Sequence, residues 1–154
     1  MTYPAITMGL YGFIAESNLI EGIERKPYDH EVEAAEKFLQ TAAPTATDIG
    51  DMQAHFAPNK PLRDKVGMDV YVGAYVAPPG GPQIVGQLNR IMRAARSGTH
   101  PWKVHVRFEQ LHPYIDGNGR TGRMLWAWCM EHQDRNAFAL GFLHRFYYQT
   151  LEHS

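Results

Sequence analysis

Residues 112–123, HPYIDGNGRTGR, bring one histidine, one carboxylate, a Gly-Asn-Gly turn and two arginines into a single short stretch, a polar cluster with no equal elsewhere in the chain. His112, with a reference pKa of about 6.5, accepts a proton near neutral pH, as activation of an attacking hydroxyl requires. Gly117 and Gly119 have access to backbone conformations closed to other residues, so successive N–H groups can converge on one anion as a nest. The helix expected to follow adds its unpaired N–H groups and the positive end of its dipole, with Arg120 and Arg123 on neighbouring positions of one face. Several phosphates fit such a site. Asp116, one residue before the nest, would repel a bare phosphate unless a divalent cation stood between them. Mg2+ meets that need, binding through one or two carboxylates together with phosphate oxygens and water. The composite points to transfer of a phosphate-containing group. A tight turn alone would account for DGNG, but a turn requires none of the charged groups around it.

These residues need elements to position them. Pro113 disfavours helical geometry at His112, so a helix beginning at Pro101, with Val104, Phe108 and Leu111 as its buried stripe, should end there and present the imidazole at the loop mouth. Beyond the loop, TGRMLWAWCMEHQ is apolar almost all round, the pattern of a central helix, with its N-terminus expected at Gly119 to Gly122. Upstream, Val32, Ala35, Phe38, Leu39 and Ala42 recur at helical spacing, with Asp29 placed to cap the helix and Pro44 ending it. A shorter helix follows, capped by Thr45, with Asp48 in its first turn and Ile49, Met52 and Phe56 on one face. Residues 66–77, VGMDVYVGAYVA, change to β-branched and aromatic residues broken by Gly73, which reads as two short strands or a hairpin. Helix returns from Pro82, with Ile84, Val85, Leu88, Ile91, Met92 and Ala95 on one side and Gly98 suited to the C-terminal cap. A last amphipathic segment carries Phe138, Phe142, Phe146, Tyr147 and Thr150. The expected fold is all-α, a helical bundle with one small β-hairpin, in a single domain spanning 1–154 without internal repeats.

The 154 residues carry a formal net charge of -1, which offers no broad attraction for nucleic acid or an anionic membrane, so anion binding must be local. No apolar run approaches membrane-spanning length, and the N-terminus lacks the continuous apolar stretch of a secretory signal. A lone cysteine, Cys129, sits among Trp126, Trp128 and Met130 as a small core residue, which fits a reducing cytoplasm. His30, His55, His100, His105, His132, His144 and His153 show no metal-ligand spacing.

Residues 112–123 resemble the signature of Fic-domain proteins, His-x-Phe-x-Asp/Glu-Gly-Asn-Gly-Arg-x-x-Arg, with Tyr114 in the Phe position. The order of elements resembles that family across most of the chain, with residues 69–77 as the flap before the motif. The resemblance implies a protein adenylyltransferase, which moves AMP from Mg·ATP to a Ser, Thr or Tyr hydroxyl of a target protein or of itself. On that basis His112 is the general base and Asp116 the Mg2+ ligand. Gly117, Asn118 and Gly119 cradle and position phosphate, while Arg120 and Arg123 hold the β- and γ-phosphates. Tyr114 should anchor the loop in the core, its hydroxyl reaching water or a partner. The flap would bind an extended target segment by strand addition. Homo-oligomer formation is left open.

SNLIEG, residues 17–22, fits the Ser/Thr-x-x-x-Glu-Gly/Asn motif of the inhibitory helix of many Fic proteins, here expected around residues 13–22. Glu21 would pair with Arg123 and withdraw it from the γ-phosphate, with Ser17, one turn earlier on the same face, steadying the arrangement. The same resemblance leaves other activities open. Glu21 could align water for removal of AMP, or the fold could move UMP, phosphocholine or a phosphate. A non-catalytic nucleotide-binding interaction module is a further reading, against which His112 stands, since a binding loop has no need of a base.

Overall fold

The computed structural model describes residues 5–133. In chain order the elements are α1 (Ala5–Ile20), α2 (Asp29–Gln40), α3 (Ala46–Phe56), β1 (Tyr71–Val72), β2 (Tyr75–Val76), α4 (Pro82–Arg96), α5 (Pro101–Leu111) and α6 (Asn118–His132). The fold is mainly helical, as the periodicities predict. The final amphipathic segment, with Phe138 to Thr150, lies outside the described residues.

A helix apolar on every side must be covered on every side, and α6 is. It packs against α1, α2, α3 and α5, and from Thr121 to Met130 each of its residues is buried. Phe13 of α1 stacks on Trp126, and Phe38, Ile49, Met52, Val104 and Phe108 close the core around it. Each large side chain so buried contributes about 1.5–3 kcal/mol relative to exposure, which is what holds these short helices together. Cys129 is wholly buried and its thiol is pushed up to about 12, so it is a core residue and not a nucleophile.

The helix ends follow local chemistry. Thr45 caps α3 through a capping box with Asp48. At α2 the cap lies one residue earlier than expected: Glu31 Oε1 accepts the Tyr28 N–H at 2.8 Å, leaving Asp29 as the first helical residue. Glu31 also pairs with Arg25 at 2.9 Å, which ties the segment after α1 to α2. Gly98, with φ +82, follows the end of α4 as predicted. The N-terminal helix is longer than the 13–22 expected, since burial of Leu10, Phe13 and Ile14 against the core outweighs the poor helix propensity of Gly9 and Gly12. It stops at Gly22, whose φ of +76 completes a Schellman motif: Gly22 N–H donates to Leu19 O and Ile23 N–H to Asn18 O.

The hairpin pairs only Tyr71 with Val76 and Val72 with Tyr75, turning at Gly73 (φ +58). All four strand residues are exposed, so most of 66–77 has no partner strand to order it. No helix among the described residues is long and apolar enough to cross a membrane.

Candidate functional site

The motif loop is built between the end of α5 and the start of α6. His112 is the C-cap of α5, in the left-handed conformation (φ 50, ψ 60), so the helix ends before Pro113 as expected. The αL turn lets the His112 and Leu111 carbonyls face a common donor. That donor is Arg63, which the sequence did not single out. Its guanidinium is fully buried and donates to Leu111 O (2.8 Å), His112 O (2.7 Å), Met68 O (3.0 Å) and Pro78 O (2.8 Å). One cation therefore closes the negative end of α5 and fastens both feet of the hairpin. Its own backbone accepts from Gly81 and donates to Pro113, while Leu62 forms a bridge with Tyr114.

The rest of the loop is fixed from within and below. Asn118 is buried, with Nδ2 donating to Tyr114 O at 2.7 Å and Oδ1 accepting from Tyr114 N at 2.9 Å. Its side-chain amide thus shapes the loop, while the residue also lines the cavity described below. Gln53 Nε2 donates to Asp116 O (3.0 Å) and Lys60 O (2.7 Å). A polar residue on the apolar Ile49–Met52–Phe56 face was the available signal for it. Tyr114 is buried against Phe108, and burial raises its hydroxyl pKa.

Gly117 has φ +79 and caps α6; a Cβ there would lie 2.8 Å from that of Ala57. Gly119 differs from expectation, because α6 already begins at Asn118 and Gly119 is helical, with no positive φ. It lacks a side chain for another reason: a Cβ would run into Glu21 Oε1. The N–H groups at this helix start thus sit at the floor of a cavity of about 680 Å3, with His112, Asp116, Arg120 and Glu21 around it and Tyr71 and Val72 of the flap above.

Within this cavity the titratable groups divide by environment. Burial lowers the His112 pKa, aided by the Arg63 charge and opposed by its bond to the Glu109 carbonyl and by the Glu21 and Asp116 charges. Asp116 is exposed, with Oδ1 accepting the Gly117 N–H at 2.8 Å. One exposed carboxylate beside an anion cradle suits a Mg2+ ion shared with phosphate and water. Among the described residues no group of three or more metal-binding side chains exists. Arg120 donates from Nη1 to Phe56 O at 2.7 Å, while its buried Nε–H has no protein partner.

Arg123 is held elsewhere. It is 3% exposed; Nε donates to Ser17 Oγ at 2.7 Å, and Nη2 donates to Ser17 O at 3.1 Å and to Glu21 Oε1 at 2.6 Å. Glu21, 40% exposed, stands between this guanidinium and the cavity. The two motifs, 102 residues apart, thus meet. Gly22 makes the meeting possible by ending α1 one residue beyond the carboxylate.

One further carboxylate escaped the sequence reading. Glu109 packs on the Cα of Gly122, its Oε1 buried without a hydrogen-bond partner, and burial raises the carboxyl to about 7 despite the Arg123 charge. His105, on the same helix, is buried against Gly122 O and its imidazole is pushed down to about 4.

Compared with known families, residues 17–130 match the Fic/DOC family. A search of curated proteins finds no match.

Proposed function

The chain belongs to the Fic/DOC family, whose members are generally transferases, and on that premise we propose that it transfers AMP from Mg·ATP to a protein hydroxyl under restraint by Glu21. The observation that carries the reading is the His112 imidazole and the N-terminus of α6 lining one cavity, with the outer arginine of the motif paired to Glu21.

The steps balance as an in-line displacement. The target Ser, Thr or Tyr oxygen forms a bond to the α-phosphorus while the bond to the bridging oxygen of pyrophosphate breaks, and the hydroxyl proton passes to the His112 imidazole. Pyrophosphate leaves. The N–H groups of Asn118 and Gly119 at the start of α6 and the Arg120 guanidinium hold phosphate oxygens in line with the attacking hydroxyl, which is catalysis by positioning and charge stabilisation. Mg2+, held through Asp116, neutralises phosphate charge when bound. The flap, residues 69–77, offers its exposed strands for pairing with an extended target segment, which brings the hydroxyl toward His112.

In this reading Glu21 is an inhibitor in cis. While it pairs with Arg123, the leaving pyrophosphate lacks one of its two cationic partners. Glu21→Gly removes the restraint, while Ser17 Oγ and Ser17 O still accept from the buried Arg123 guanidinium. The test is intact mass after incubation with Mg2+ and, separately, ATP, UTP, GTP and CTP. Glu21→Gly should gain the mass of AMP from ATP. Wild type should gain little, and Glu21→Gly combined with His112→Ala none. An adduct that persists without His112 would refute the base assignment, and an adduct from UTP alone would assign a different donor.

A further inference from the structure

The near-neutral net charge conceals a division. Residues 16–51 carry nine carboxylates against three Lys and Arg, whereas residues 82–111 carry Arg90, Arg93, Arg96, Lys103 and Arg107 against Glu109 alone. Glu109 is turned into the protein, so the outer face of α4 and α5 is basic. On this face, on the β2 side of the hairpin, lies an open groove of about 430 Å3. Pro78, Ile91 and Leu111 give it apolar walls; Arg90, Arg107 and Gln110 are exposed along it. Among the described residues no carboxylate lines it, and neither Arg90 nor Arg107 has an ion-pair partner. Tyr75 joins the groove to the flap, its hydroxyl donating to Gln110 O at 2.7 Å.

We propose that this groove docks an acidic segment of a partner protein, with carboxylates on Arg90 and Arg107 and aliphatic side chains against Ile91 and Leu111. Two unpaired guanidinium forks over an apolar floor match a peptide that alternates acidic and aliphatic residues, since each fork binds a carboxylate bidentately. A nucleic acid would draw on a longer track of cations and would leave the apolar floor without use. Tethering of the groove to the flap through Tyr75 makes the partner the transfer target, a step that rests on the proposed activity. The docking itself does not.

Fluorescence anisotropy tests it with three labelled probes: a peptide alternating Glu and Leu, its Lys and Leu counterpart, and single-stranded DNA of matching length. Wild type and His112→Ala should bind the acidic peptide alike, so the result stands whether or not transfer occurs. Arg90→Ala with Arg107→Ala should weaken binding at least tenfold without changing the melting temperature, while Lys26→Ala, on the acidic side, should leave it unchanged. Equal binding by wild type and the double variant would overturn the proposal. So would absence of binding by wild type, or DNA bound more tightly than the acidic peptide.

Discussion

The motif loop and the flap face each other across one cavity and are built on opposite principles. In the loop, nearly every backbone group from Leu111 to Gly117 has an assigned partner, supplied by Arg63, Gln53, Asn118 and the 61–63 segment. In the flap, the contacts are two residue pairs, the Tyr75 hydroxyl on Gln110 O and Asp69 Oδ1 accepting the Gly80 N–H, and four apolar or aromatic side chains face solvent. The difference separates two tasks. Under the proposed function, groups that meet a transition state gain from being held before the ligand arrives, whereas a strand proposed to pair with a target segment gains from an exposed edge. Arg63 joins the two regions, since it bonds to both.

The largest effect should come from breaking that link. Arg63→Ala leaves four carbonyls without their donor, one of them in a buried bond and three in part-buried ones, and denaturant unfolding should show a loss of about 3 kcal/mol, with cleavage by a protease rising first at the flap. Arg63→Lys should recover only part, since a single ammonium cannot span four acceptors. Asn118→Ala disturbs the loop alone: two buried bonds to Tyr114 disappear, for an expected loss of about 2–3 kcal/mol in the same measurement.

Glu109 sharpens the contrast through pH. Its folded-state pKa is raised to about 7, so its contribution to stability is complete below the unfolded value near 4.5 and is lost as pH rises toward 7. His105, lowered to about 4, works in the opposite direction, its contribution being lost as pH falls from 6.5. The stability of Glu109→Gln relative to wild type should therefore increase with pH between 4.5 and 7, by about 1.4 kcal/mol per pH unit. A difference independent of pH would show that the carboxyl is not held protonated. The smallest effect belongs to the flap. Tyr75→Phe removes one exposed bond and should change global stability by less than about 1 kcal/mol while increasing amide exchange at residues 71–76.

How much of this was legible follows from whether the signal was local. The helix patterns, the Thr45 cap, the Gly98 end and the hairpin at Gly73 are written in contiguous residues, and the structure follows them. The motif also announced its family, because a histidine, a carboxylate and two arginines in fixed order are not needed by a turn. Arg63 and Glu109 were invisible for the converse reason: one sits in a loop without pattern, the other beside an ordinary stripe, and each acts through residues brought near by folding. Asn118 and Gly119 looked like parts of a phosphate nest, yet packing gives the first to Tyr114 and clears the second for Glu21. The basic face of α4 and α5 was hidden by a net charge that averages over an acidic half.

The restraint of Arg123 by Glu21 is the claim on which the account turns, and pyrophosphate release from Mg·ATP at neutral pH measures it most directly. Glu21→Gly should release pyrophosphate at least tenfold faster than wild type, and adding Arg123→Ala to that variant should remove the gain. Equal rates for wild type and Glu21→Gly, beside measurable turnover in both, would contradict it.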